Sequence, residues 1–297
     1  MSETENTPFE RVALIGIGLI CSSLARVIQR EGLAREVVAF SRTEETRKKA
    51  ASLGIVDSVA DTPEEAVTGA DLVVLGTPVG AYAAVADTIA GHLAEGAIVT
   101  DVGSVKGSVI DAVAPRLPVH VHFVPGHPLA GTEHSGPDAG FDTLFQGRWC
   151  ILTPLEETDA AAVERVAALW RRAGSMVDIM DPSHHDLVLA ITSHLPHLIA
   201  YNIVGTVTDL EDQTKREVIK YAASGFRDFT RIAASDPVMW RDIFMNNREA
   251  VLEMLGRFTE DLSRLQRAIR WGEADTLEAL FTRTRDIRRQ IIAEKQA

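Results

Sequence analysis

The chain has 297 residues, length for two ordinary domains, and its 30 basic against 42 acidic residues give a net charge of −12. Without a long Lys/Arg run, that balance argues against nucleic acid or an anionic membrane surface as partner. Cys21 and Cys150 alone support neither a disulfide framework nor a cysteine metal site. The acidic N-terminus lacks a signal-peptide profile and no uncharged apolar run reaches membrane-spanning length, so a soluble, cytoplasmic protein is expected.

Arg11 to Ile15 is a short apolar run that ends in Gly16-Ile17-Gly18-Leu19-Ile20-Cys21 and leads into a helical stretch from Ser22. Strand, glycine turn and helix is the context in which a glycine fingerprint binds a dinucleotide. Gly16 permits the tight turn, and Gly18 lets the backbone of Leu19 and Ile20 approach a pyrophosphate at the helix N-terminus. Cys21 replaces the third glycine, which normally governs close helix–strand packing.

Glu36 to Phe40 then reads as a strand and Thr43 to Leu53 as a helix. Asp71 to Gly76 is a buried strand that ends in Thr77-Pro78-Val79, with a helix to about Leu93. Ala97 to Asp101 is a strand that ends in Val102-Gly103-Ser104-Val105-Lys106. Val119 to Val124 and Trp149 to Thr153 are further strands. This alternation predicts an α/β, doubly wound parallel sheet of Rossmann type with ligands at the strands' carboxyl ends, where Thr77, Ser104 and His127 fall. At the ribose position after the second strand stand Ser41, Arg42 and Thr43, with no acid before Glu44. That set favours the 2′-phosphate of NADP over the 2′-hydroxyl of NAD, unless Arg42 is merely an exposed turn residue.

Pro125 to Gly136 holds two prolines and three glycines in twelve residues, so a structured loop is expected around His127. Asp181-Pro182 has the form of a helix cap with proline at the first helical position. The domain boundary is placed there: a dinucleotide-binding domain over 1–180 and an all-α domain over 181–297. The helix from Asp181 runs to Val207, is apolar nearly all round, and should be buried and kinked at Pro196 beside His194 and His197. A second helix begins at Asp236-Pro237 and carries Val251, Leu255, Phe258, Leu262, Leu265 and Ile269 at heptad-type steps. At about 34 residues and roughly 50 Å, that seam calls for a partner helix, from a second copy or from a hairpin within the chain. Gly272 ends it and Leu277 to Ile292 forms a last amphipathic helix.

Nine histidines invite a metal reading, but no ligand spacing supports one, and none is expected. Beside a nicotinamide, a histidine serves better as acceptor of the proton from an alcohol losing hydride, and His127 is the candidate, with Ser104 to orient it. Gly225-Phe226-Arg227-Asp228-Phe229-Thr230-Arg231 should join two helices and offers arginines suited to a carboxylate, or to surface pairs with Asp228 and Glu217.

Taken together, these motifs and the runs His127-Pro128-Leu129-Ala130-Gly131-Thr132-Glu133 and Ser193-His194-Leu195-Pro196-His197 resemble the prephenate/arogenate (cyclohexadienyl) dehydrogenases over nearly the whole chain. The resemblance implies oxidation of the ring hydroxyl of prephenate or arogenate by NAD(P), with loss of the ring carboxylate as carbon dioxide, in tyrosine biosynthesis. It makes His127 the proton acceptor and Ser104 its hydrogen-bonding partner. Arg231 would bind a substrate carboxylate, His197 would be a second pocket histidine, and Thr132, Glu133, Asp228 and Trp240 would line or gate the pocket. A homodimer through the helical domain follows, and the chain leaves no length for a fused mutase or regulatory domain. Two rivals are a two-domain β-hydroxyacid-type dehydrogenase, which would use a catalytic lysine on its helical domain rather than His127, and a non-catalytic dinucleotide sensor.

Overall fold

A computed structural model of the chain describes residues 9–208, 217, 220–221 and 223–293. The described residues divide between two compact units, Met1–Arg248 and Glu249–Ala297. The first is built on a six-stranded sheet of β1 (Phe9–Ile15), β2 (Ala34–Phe40), β3 (Ser58–Val59), β4 (Leu72–Leu75), β5 (Ile98–Asp101) and β6 (His122–Val124). Every neighbouring pair is parallel and the order is β3-β2-β1-β4-β5-β6, so the chain reverses its winding direction between β1 and β4. That switch point is where an open parallel sheet binds its ligand.

The sheet is covered on both faces, which is why its strands read as unbroken apolar runs. Val12 and Leu14 pack with Leu24, Val27 and Ile28 of α1 (Leu19–Glu31) and with Val166, Leu169 and Trp170 of α2 (Ala160–Arg172). Ala13 and Ile15 point the other way, against Val67, Tyr82, Ala86, Val109 and Val113. The helix expected over Thr43–Leu53 spans Glu44–Ser52, with Thr43 and Leu53 as its caps. The pair β3 and the short helix Pro63–Val67 went unread, being too short to show a period. Helix α2 also went unread, although Asp159 caps it and its inner face is buried.

The Pro125–Gly136 segment is not wholly a loop. Gly126–Pro128 forms a short strand, β7, antiparallel to β8 (Trp149–Leu152), which in turn runs parallel to β9 (Met176–Ile179). Proline sits at its end, where a missing N–H costs the ladder least.

Asp181 caps the next helix as expected, accepting from the Ser183 and His184 amides, and the helix runs from Pro182 to Thr208. A π-turn at Ala190–His194 interrupts it just before Pro196, whose missing N–H frees a carbonyl one turn back. By length and composition Pro182–Val207 could cross a membrane, contrary to the sequence expectation. Its buried His185, Asp186 and His194, hydrogen-bonded into the α/β unit, mark it instead as a core helix. Nor is it buried throughout, for Leu187, Ile191 and Val204 stay exposed.

The Gly225–Arg231 cluster is itself helical, Ser224–Thr230, followed by a tight turn at Arg231–Ala234, and does not simply join two helices. The long heptad helix is broken as well. Pro237–Asn246 ends at Asn247, whose backbone leaves the helical region (φ −119°, ψ 37°), and a new helix spans Arg248–Trp271. The cause is the Asn247 side chain, which is buried and hydrogen-bonded to the Asp186 carbonyl. In the second unit, Gly272 (φ +68°) ends that helix and Ala274–Ala293 forms the last.

Candidate functional site

The glycine turn has the geometry a dinucleotide needs. Gly16 has φ +98°, and a Cβ there would lie 2.6 Å from the Gly76 carbonyl carbon, so backbone meets backbone at the ends of β1 and β4. A Cβ on Gly18 would meet nothing within 4 Å, which leaves open space before α1. Helix α1 starts without a side-chain cap, so its first amides, those of Leu19 and Ile20 among them, remain available to a phosphate. The Thr77 hydroxyl, just after β4, is buried without a hydrogen-bond partner among the described residues. An orphaned donor, an uncapped helix and an open cradle fit a nucleotide pyrophosphate. The departure at Cys21 is also explained: its Sγ fills the space that Gly76 leaves by having no Cβ.

At the ribose position, Arg42 is exposed and makes no side-chain hydrogen bond among the described residues. Thr43 is less free than expected, because its hydroxyl caps the following helix by accepting from the Thr46 amide. Arg47 went unnoticed in the sequence. It donates to the Ser41 and Arg42 carbonyls at 2.8 and 3.2 Å and lies over the Phe40 ring, so it holds this loop in place.

His127 is fixed from below by a buried ion pair. Lys106 Nζ binds Asp101 and donates to the Gly126 carbonyl at 2.7 Å. The second Asp101 oxygen accepts from the Gly126 amide at 3.0 Å. Both backbone groups of Gly126 are thus held by the run Asp101–Lys106, and His127 follows directly. Both members of the pair have no exposed side-chain surface, and removing one partner alone would strand a charge.

The His127 ring is buried, and its Nδ1 lies 2.9 Å from His185 Nε2. His185 Nδ1 lies 2.9 Å from Asp186 Oδ1. Asp186 also accepts from the Lys106 and Gly107 amides, each at 2.8 Å. Burial, with help from His185, Lys106 and His194, holds the His127 imidazole well below its ordinary pKa, so it is neutral at physiological pH. Burial opposes ionisation of Asp186, yet the His185 hydrogen bond and the Gly107 and Lys106 amides hold its carboxyl below the usual range.

Contacts continue from this centre to the other expected residues. Asn247 Nδ2 lies 3.1 Å from His194 Nδ1, and His194, its pKa pushed down to about 4 by burial, packs edge-on to Trp240. The Trp240 indole nitrogen is buried without a hydrogen-bond partner among the described residues. His197 donates to the Ser193 carbonyl and stacks on Trp240 at 3.6 Å between ring centroids, 23° from parallel. Arg231 pairs with Glu133 at 2.9 Å, and its charge is near enough to help lower the His197 pKa, after burial. Thr132 adjoins Glu133 and turns back to the His134 amide; Asp228, exposed, lies one helical turn before Arg231.

Ser104 differs from expectation. The hydrogen bond the structure gives His127 is to His185, whereas Ser104 lies with its backbone by the His194 ring. The sequence places His185 and Asp186 on the apolar helix and Asp101 and Lys106 in the run that closes β5, but gives none of them a role, and it does not single out Asn247. The available signal was Asp186 and four histidines on a helix otherwise apolar, since a buried polar group requires a reason.

A 3-2-1-4-5-6 parallel sheet, a glycine turn into an uncapped helix and a buried neutral histidine at its carboxyl edge define a Rossmann-type dehydrogenase. Two family models match: "Prephenate dehydrogenase, nucleotide-binding domain" over residues 24–179 and "Prephenate dehydrogenase, dimerization domain" over 181–283. The cyclohexadienyl dehydrogenase of Zymomonas mobilis is 43% identical over 282 residues, covering 95% of this chain and 96% of that protein. The prephenate dehydrogenase of Bacillus subtilis is 32% identical over 94% of this chain and 75% of its own. Among solved structures, Aquifex aeolicus prephenate dehydrogenase with hydroxyphenyl propionate and NAD+ superposes with a TM-score of 0.88 at 35% identity, covering 95% of this chain and 98% of that one. Synechocystis arogenate dehydrogenase gives 0.79 at 27% identity, covering 94% and 99%. The chain belongs to the prephenate dehydrogenase family, and its nucleotide is NAD(P).

Proposed function

We propose that the chain oxidises and decarboxylates prephenate, arogenate or both in tyrosine biosynthesis, as a soluble cytoplasmic homodimer. The observation that carries this is His127: neutral, with one ring nitrogen committed to His185 and the other without a partner among the described residues, at the edge of a nucleotide-binding sheet. A bound nicotinamide supplies the hydride acceptor. His127 takes the proton of the ring hydroxyl as the carbonyl forms. The rings of Trp240, His194 and His197 shape an aromatic pocket that suits a cyclohexadiene and excludes water. Arg231 exchanges Glu133 for a substrate carboxylate, with Thr132 and Asp228 at the rim, and Ser104, just after β5, would help line the site. Loss of the ring carboxylate is driven by aromatisation and asks of the protein only that it release carbon dioxide.

Residues 1–180 hold the nucleotide by Gly16, Gly18, Leu19, Ile20, Thr77, Pro78 and the Ser41–Thr43 loop. Residues 181–297 supply substrate contacts and the dimer interface, to which the exposed Leu262, Ile269, Phe281 and Ile287 belong. A lysine-based dehydrogenase, with its lysine on the helical domain, is disfavoured because the candidate base here is His127 of the nucleotide-binding domain. We further propose NADP as the preferred nucleotide, because Arg42 is exposed where the 2′-phosphate would lie and no acid precedes Glu44. Arg42→Ala should lower kcat/KM for NADP by about 1.5–3 kcal/mol, roughly one to two decades, while NAD is unaffected. A strong preference of the unaltered enzyme for NAD in side-by-side assays would overturn this.

A further inference from the structure

We propose that His185 is a positioning residue for the reaction: backed by Asp186, it holds His127 in the tautomer whose Nε2 is free to accept the substrate's proton. The inference rests on His127 as base and goes beyond it by naming what sets the direction of that base.

The argument is one of matched donors and acceptors. A neutral imidazole has one N–H and one bare nitrogen, and coordinates alone do not say which is which. Here the neighbours decide. Asp186 accepts the Lys106 amide on Oδ1 and the Gly107 amide on Oδ2, and its Oδ1 also lies 2.9 Å from His185 Nδ1; the amides can only donate. Both oxygens therefore serve as acceptors, an arrangement that favours the carboxylate form, as the lowered Asp186 pKa reflects. Asp186 Oδ1 then requires hydrogen on His185 Nδ1, 2.9 Å away. His185, being neutral, must leave Nε2 bare, and burial favours that neutrality. A bare His185 Nε2 at 2.9 Å requires hydrogen on His127 Nδ1. His127 Nε2 is left as the bare nitrogen. The opposite assignment would set a lone pair of His185 against a carboxylate oxygen.

During the reaction the hydroxyl proton moves to His127 Nε2, and the O–H electron pair remains with oxygen to form the carbonyl. The electron pair of the C–H bond goes to the oxidised nicotinamide nucleotide. His127 becomes an imidazolium, keeps its Nδ1 hydrogen on the bond to His185, and later returns the new proton to solvent. No proton passes to His185 or Asp186. They fix orientation and stabilise the cation, as a buried carboxylate does behind a catalytic histidine in a serine protease.

The test compares two variants and one spectrum. His185→Gln keeps an acceptor oxygen near the place of Nε2, whereas His185→Phe keeps an apolar ring of similar volume without an acceptor. His185→Phe should lower kcat by roughly 10²–10³, within the range for a general base, with KM and nucleotide affinity changed no more than a few-fold. His185→Gln should recover most of the rate. A role in packing alone predicts the reverse order, and that order would overturn the proposal. Ring-nitrogen NMR of 15N-histidine protein supplies a readout independent of any variant's folding: His127 should carry its hydrogen on Nδ1. Hydrogen on Nε2 in the unaltered protein contradicts the proposal outright. If instead His127→Asn keeps full turnover while the spectrum shows Nδ1–H, it is the base reading that fails.

Discussion

His127 matters less for being a histidine than for being a dry one. An exposed imidazole titrates near 6.5, and the sequence, which gives no burial, suggests an acid limb in the rate there. Burial and the neighbouring His185, Lys106 and His194 lower its pKa well below that value. Because the neutral form is active, activity should persist below the ordinary histidine range and fall only as pH drops through the lowered pKa. His127→Asn should lower kcat by about 10²–10⁴ with nucleotide binding retained. A kcat profile with its acid limb at the ordinary histidine value, or near-normal turnover of the variant, would count against this assignment. At this scale the sequence put His127 and the strand-end hydroxyls forward as candidates, because proline and glycine around His127 and hydroxyls at strand ends are local features. The partner of His127 was not legible. His185 stands 58 positions away on a different element, and only the fold sets the two rings together.

The elements were read best where burial imposes a period. The strands β1, β2, β4 and β5 and the caps at Asp181, Asp236 and Gly272 stand where their residues predicted them. The break at Asn247 was hidden because its cause is a tertiary hydrogen bond from its side chain to the Asp186 carbonyl. The fingerprint shows the same limit. Cys21 looked like a defect in the sequence, but the compensating residue, Gly76, lies on a different strand end and approaches it only in the fold. The two positions should therefore be coupled. Gly76→Ala would overpack Cys21 Sγ and also approach the Gly16 carbonyl at 2.9 Å, with an expected loss of about 1–3 kcal/mol of stability. Cys21→Gly alone should be mild, and the double variant should regain the sulfur part of the loss. Additive effects in a denaturation cycle would mean that the two residues do not share this space.

For the whole molecule, the parallel α/β class and the helical second half followed from the alternation of patterns along the chain. The placement of the seam residues did not, because Leu262 and Ile269, like Phe281 and Ile287 on the last helix, are exposed within one chain and nothing local says what covers them. The site itself gathers the loop after β7, the core helix and the segment Ser224–Trp240 into one series of contacts from His127 to Arg231. Arg231 is 59% exposed and paired with Glu133, so the loss on its removal should follow charged hydrogen bonds at about 1.5–3 kcal/mol rather than a fully desolvated pair. Steady-state reduction of NAD(P) with prephenate and with arogenate, measured for the unaltered enzyme and for Arg231→Ala, tests the account most directly. Saturable turnover of at least one of the two substrates is predicted, with kcat/KM falling by roughly one to two decades in the variant and nucleotide affinity unchanged. Binding of the nucleotide without turnover of either substrate would contradict it.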